Sequence, residues 1–193
     1  MNLFTDLLKK GKTQFHVVKE CKDYLEKQGF EPLLLHSDWK LVPGHKYMVS
    51  PYSSMLVAFV FGENATTLRV AAAHTDFPML KLKPKPEITK KNYLQVNVEP
   101  YGGLITSTWF DRPLGLAGKV VTKGDDAFSP KTHLFDSKRP VFIIPNLAPH
   151  LKRDNKNQDM DIQKELVPLA GCKSTDAMSN SQFIMEYISH ELK

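Results

Sequence analysis

The sequence predicts an α/β fold that gives way to a β-rich unit, and three features predict it. An amphipathic helix is written over 14–28. Two nearly unbroken apolar runs, 55–61 and 67–73, follow as strands. From Tyr93 onward, short strand-like pieces recur at fairly regular intervals between turn residues.

The helix comes from Phe15, Val18, Cys21 and Leu25, which recur at three- and four-residue spacing with Lys22 the polar exception. Thr13 is the expected N-cap and Gly29 the expected glycine beyond the last turn. A shorter helix over 3–10 precedes it. The runs 55–61 and 67–73 predict strands buried on both faces. The brief Gly62-Glu63-Asn64 link predicts that they pair antiparallel. Beyond Pro78, Pro84 and Pro86 the strand-like pieces cover 93–98, 104–110, 116–123, 132–135 and 141–144. The boundary expected near Pro86 divides the chain into 1–86 and 87–193. The stretch 153–164 reads as a polar loop. A last helix starts near Ser181, capped within 179–181, with Phe183, Ile184, Tyr187, Ile188 and Leu192 as its apolar stripe.

The bulk numbers fit that picture. The chain has 193 residues, 41% hydrophobic and 24% charged, as in an ordinary globular protein of one large or two small domains. Cys21 and Cys172 form no Cys-x-x-Cys motif, which suits two free thiols in a reducing compartment. No apolar run approaches the roughly 20 residues needed to span a bilayer. The first residues lack the basic and apolar regions of a signal peptide, so a cytoplasmic protein without a membrane partner is expected. The net charge of +5 is spread out except at Lys81, Lys83, Lys85, Lys90 and Lys91. Without arginines and stacking aromatics alongside, this cluster reads as a solvated edge strand or loop. No nucleic-acid partner is expected.

Chemistry concentrates at His74-Thr75-Asp76. Residues i and i+2 of a strand share a face, so Asp76 can accept the second ring N–H of His74, fixing its tautomer and raising its basicity toward a metal. The competing reading is a capped strand end before Pro78. It fits the tripeptide alone better, because catalytic zinc wants three protein ligands and an open position. His16, His36, His45 and His133 read as surface or packing residues, and His150 follows Pro145-Asn146-Leu147-Ala148-Pro149. No phosphate loop, dinucleotide fingerprint, nucleophile elbow or His-Glu-x-x-His helix is present. Ser53-Ser54 has no evident base partner.

Several segments carry a resemblance in collinear order: Trp39-Lys40-Leu41-Val42-Pro43-Gly44, Ala73-His74-Thr75-Asp76-Phe77-Pro78, Ser107-Thr108-Trp109-Phe110-Asp111-Arg112-Pro113-Leu114-Gly115, and Ile144-Pro145-Asn146-Leu147-Ala148-Pro149-His150. With them the chain resembles the amino-terminal portion of the aspartyl-aminopeptidase family of dizinc exopeptidases. The resemblance implies a phosphorylase/hydrolase-like α/β zinc-peptidase domain interrupted by a β-rich dimerisation domain, here incomplete, and assembly as a homo-oligomer. It implies two zinc ions, with His74 the first ligand and Asp76 the residue that orients it. It implies that His150 helps bind peptide substrate in a neighbouring subunit's active site. Family members are more than twice as long, and their Glu-Glu pair has no counterpart here. Asp125-Asp126, Asp159 and Asp161 sit in polar, turn-like contexts. The expected activity is removal of N-terminal, acidic residues from peptides, with the 193 residues inactive alone. The alternative is a non-catalytic oligomerisation or scaffold module.

Overall fold

The computed structural model describes residues 2–63, 66–151, 161–172 and 182–192. These fall into two compact units, Met1–Phe77 with Gly118–Leu134, and Pro78–Ala117 with Phe135–Lys193. No described helix is long and apolar enough to cross a membrane.

The first unit opens with helices α1 (Leu3–Lys10) and α2 (Gln14–Lys27). Asn2 caps α1 by accepting the amide of Phe4 at 3.2 Å. Thr13 occupies the N-cap of α2, but its Oγ1 bonds Nδ1 of His16 at 2.8 Å instead of a backbone amide. Gly29 turns the chain out of α2 at φ +81°, a conformation that costs glycine little. The amide of Phe30 then folds back to the Leu25 carbonyl at 3.0 Å.

Three short strands follow: β1 (Glu31–Leu33), β2 (Lys46–Val49) and β3 (Val57–Val60), in the order β1-β2-β3. β1 runs parallel to β2, and β3 antiparallel to it. Tyr47, Met48 and Val49 are buried with Val18 of α2. Phe59 packs against the rings of Trp39 and Tyr47, centroids 6.5 and 5.7 Å away. The Tyr47 hydroxyl accepts the amide of Val42, and Trp39 Nε1 donates to the Leu34 carbonyl. The 39–44 segment is thereby tied onto the sheet.

Two expectations are corrected here. The partner of the 55–61 strand is β2, not 67–73. The run 67–73 is neither helix nor strand, and every residue from Thr66 to His74 is exposed. Its apolar composition asks for cover on both faces, and the described residues offer it no strand to pair with.

The second unit is built on an antiparallel sheet in the order β4-β5-β10-β9-β6. Its strands are β4 (Met79–Lys90), β5 (Tyr93–Tyr101), β6 (Pro113–Leu114), β9 (Phe142–Ile143) and β10 (Leu169–Cys172). The two-stranded sheet of β7 (Ala117–Thr122) and β8 (Lys131–Asp136) falls mainly within Gly118–Leu134, which belongs to the first unit. The lysine cluster lies on and just after edge strand β4, as expected of a strand protected against edge-to-edge pairing. The β4–β5 register shifts between Leu82 and Glu87, where Pro84 and Pro86 lack ladder donors and Lys85 takes φ +53°. Lys81 Nζ stands 3.6 Å from the centre of the Tyr101 ring.

Val96, Ile144 and Leu166 form the least accessible part of this unit. The helix α4 (Phe183–Glu191) buries Phe183, Ile184 and Ile188. Phe135 meets Tyr187 edge-on at 6.1 Å, a favoured aromatic geometry.

Further departures from expectation are local. The segment 104–110 holds a 3-10 turn, Thr106–Trp109, in place of a strand. Thr108 explains it, because its amide and its hydroxyl both bond the Ile105 carbonyl. Within the supposed loop 153–164, a one-turn helix α3 (Ile162–Glu165) forms under an Asp161 cap. The cap expected within 179–181 lies outside the described residues.

The two thiols differ in setting. Cys21 is half-buried on α2, and burial, helped by Glu20, pushes its thiol pKa up. Cys172 ends β10 exposed. Because the thiolate is the reactive form, iodoacetamide at pH 8 is expected to label Cys172 about tenfold faster than Cys21. Mass spectrometry of the two peptides over time checks this; equal rates would contradict the burial of Cys21.

Candidate functional site

His74 and Asp76 lie together in the first unit. His74 Nδ1–H donates to the Asp76 carbonyl at 2.6 Å, and the Asp76 carboxylate oxygen Oδ1 is 3.3 Å from the same nitrogen. A carbonyl can only accept, so the proton sits on Nδ1 and Nε2 is left as the ring nitrogen able to ligate a metal. The His74 side chain is 82% exposed.

What holds this corner is a set of residues that sequence reasoning passed over. Thr75 Oγ1 donates to the Ser54 carbonyl at 2.9 Å. The neighbouring Ser53 accepts from Lys119 Nζ at 3.1 Å. That ammonium also stands 4.7 Å from the centre of the Phe15 ring, within cation–π range. The Ser53-Ser54 pair is therefore a strut that ties the 73–77 segment to α2 and β7, and needs no base partner. No local sequence pattern reports it, since the bonded residues are 21 and 66 positions apart.

The other acids are employed locally. Asp126 accepts the Phe128 amide at 2.7 Å, a bond that holds its carboxyl below the usual range. Asp161 pairs with Lys164 at 2.7 Å, which lowers its pKa, and caps α3 through the Gln163 amide. Asp159 lies outside the described residues. Two more of the expected surface histidines have local partners: His45 faces Glu31 at 3.4 Å, and His133 bonds Thr122 at 3.2 Å.

His150 belongs to the second unit, exposed in the 3-10 turn Pro149–Leu151. The chain leading to it is clamped by Asp111, which takes φ +54°. The Asp111 amide donates to the Ile144 carbonyl, and its Oδ1 accepts the Asn146 amide, both at 2.9 Å. Beside this clamp, buried Ser137 accepts the Leu116 amide at 3.0 Å and donates to the Arg139 carbonyl at 2.7 Å.

Zinc can be tested against these donors. His74, with Nδ1 engaged and Nε2 left, has the chemistry of one zinc ligand. Among the described residues, however, no group of three His, Cys, Asp or Glu side chains is placed to hold a metal. One donor fits the ion and the set does not, so no catalytic step through a metal is derived from these residues.

An imidazole held at Nδ1, beside a carboxylate and on a mixed α/β unit, offers one donor of the class that metalloproteins use. The comparisons narrow that class. A model of the family described as aminopeptidase I zinc metalloprotease (M18) matches residues 7–193. A probable M18 family aminopeptidase 2 from Clostridium novyi (strain NT) is 36% identical over 196 residues, covering 99% of this chain and 45% of that protein. Among solved structures, a chain in a cryo-EM structure of the Ape4 and Nbr1 complex superposes with TM-score 0.87 at 33% identity, over 97% of this chain and 38% of that one. The mApe1 dodecamer of S. cerevisiae superposes with TM-score 0.74 at 26% identity, over 97% and 43%. The chain belongs to the M18 family of zinc metalloproteases. It spans less than half the length of the curated relatives described.

Proposed function

We propose that this chain carries the amino-terminal corner of a zinc aminopeptidase site whose activity is removal of an N-terminal, preferably acidic, residue from peptides. The observation that carries the reading is the His74–Asp76 pair, with Nδ1 held and Nε2 left for a ligand role. His74 is the metal ligand and Asp76 the residue that positions it. His150 serves substrate binding in a neighbouring subunit, and the β-rich residues of 87–193 serve dimerisation. The dodecameric S. cerevisiae neighbour supports a homo-oligomer. When bound, zinc supplies carbonyl polarisation and an activated water. With one donor of its own, the 193-residue chain is inactive alone.

The test joins this chain to the portion of the Clostridium novyi relative that lies beyond the matched stretch, and assays p-nitroanilides of aspartate, glutamate and leucine. The expected result is hydrolysis by the chimera, fastest on the acidic substrates, and none by the 193 residues. Asp76→Ala should cost about 10- to 100-fold in activity, the range for residues that orient a metal ligand. His74→Ala should cost more. Turnover by the isolated chain that survives His74→Ala would overturn the reading.

A further inference from the structure

The second unit holds a cavity that none of the roles above uses. Its volume is about 650 Å³, within the range of small-molecule sites. Leu94, Phe142, Ile143, Leu169, Phe183 and Ile184 give it an apolar wall. The sheet leaves room for it, because β10 pairs with β9 only at Leu169 and Ile143. Helix α4 supplies one side of the cavity through Phe183, Ile184 and Tyr187. Every lining residue lies in the same unit. Two of them carry polar side chains, Arg139 and Tyr187. The Arg139 guanidinium is 5.6 Å from the centre of the Tyr187 ring. The Tyr187 hydroxyl is withdrawn from solvent and makes no hydrogen bond of ordinary geometry among the described residues. A donor left unpaired in this way is costly, and a ligand oxygen would satisfy it. Arg139 bonds Glu191 at 3.1 Å, with the two side chains 64% and 32% exposed. Glu191, and Tyr187 after it, raise the Arg139 pKa, so the group stays a cation. An exposed ion pair contributes little, so another carboxylate can take the place of Glu191.

We propose that this cavity is a binding site for a monocarboxylate with an apolar body. The body fills the space between α4 and the sheet, and the carboxylate takes Arg139 from Glu191 and accepts the Tyr187 hydroxyl. A carboxylate matches the guanidinium fork and a phenol donor together, whereas a ligand cation would find only an apolar wall and a like charge. Two sources carry this chemistry, a free aliphatic or aryl acid and the C-terminus of a peptide that ends in an apolar residue. The site stands apart from the peptidase reading, since His74, Asp76 and His150 do not line the cavity.

Titration of the 193-residue chain with octanoate, followed by methyl NMR, tests it. The methyl signals of Ile143, Leu169 and Ile184 should shift and saturate, while those of Val18 in the first unit stay still. Octan-1-ol, with the same body and no charge, should bind more weakly. Arg139→Gln should weaken octanoate about tenfold, as the loss of a hydrogen bond to a charged group does, and leave octan-1-ol unchanged. Tyr187→Phe should weaken octanoate about threefold, the effect of one hydrogen bond. Glu191→Gln removes the competitor and should tighten octanoate about threefold, as the loss of an exposed ion pair allows. Acetyl-Ala-Ala-Phe with a free carboxylate, against the same peptide amidated, separates the two sources. Tighter binding of octanoate assigns the site to free acids, and tighter binding of the free-carboxylate peptide assigns it to peptide C-termini. Either sustains the carboxylate site.

The absence of any saturable shift at Ile143 and Ile184 overturns the proposal. Equal affinity for octanoate and octan-1-ol, indifferent to Arg139→Gln, does so too, because it would reduce the cavity to an unspecific apolar surface. Variants that move octanoate and octan-1-ol together would give Arg139 and Tyr187 a structural role only and contradict their part in binding. The chimera with the Clostridium novyi remainder should show the same shifts, and their loss there would make the longer protein's own chain the occupant and sink the ligand site.

Discussion

Ile144→Ala is expected to destabilise the second unit by about 3 kcal/mol, within the range for deleting buried isoleucine side chains. Ile144 has no accessible surface, so its truncation removes apolar area that is fully withdrawn from water and leaves a cavity in a packed interior. Its neighbour Ile143, the last residue of β9, is 40% exposed. Ile143→Ala should therefore cost about half as much or less. Urea unfolding followed by hydrogen exchange in β5 gives both values, and α2 of the first unit reports whether the effect stays local. Equal costs at 143 and 144 would contradict the difference in their burial.

Much of this architecture was legible because its determinants are local. The stripe Phe15, Val18, Cys21, Leu25 and the glycine at 29 specify α2 within 16 residues, and the structure ends the helix within one residue of the expected position. The lysines of 81–91 read as a protected edge, and β4 is an edge strand. β1 and β10 were missed for the opposite reason. Glu31-Pro32-Leu33 and Leu169-Ala170-Gly171-Cys172 carry little β propensity, and their neighbours in space, β2 and β5, make them strands. At 67–73 the composition predicts a strand buried on both faces, and the structure leaves the run exposed and outside any strand, because composition names no partner. The candidate site divides in the same way. His74 and Asp76 stand out by their i, i+2 spacing, which alone fits a capped strand end better, and the family resemblance makes them the candidates. Thr75 with Ser54, Lys119 with Ser53, and Asp111 with Asn146 were invisible, because each pair is closed only by the fold.

The clamp at Asp111 gives the second large expected effect, and it bears on His150. Asp111 does two things that no hydrophobic residue can do. It holds φ +54°, where aspartate and asparagine are tolerated far better than most side chains. It also accepts the Asn146 amide through Oδ1, and hydrogen bonds to a charged acceptor are the stronger kind. Asp111→Ala forfeits both. Because the bond is exposed, the expected loss of stability is only about 1–2 kcal/mol. The larger effect is local, since the chain from Ile144 to His150 loses its side-chain tie to the 107–115 segment. The Asn146 amide should exchange at least ~10-fold faster in Asp111→Ala. Asp111→Asn keeps an acceptor oxygen and a residue suited to positive φ, so it should recover most of the protection. In the chimera, if His150 acts on substrate, Asp111→Ala should raise KM more than it lowers kcat, and Asp111→Asn should restore KM. A purely structural clamp would instead lower the folded fraction and leave KM unchanged, so the KM of the folded enzyme distinguishes a positioning role for Asp111 from one in stability alone.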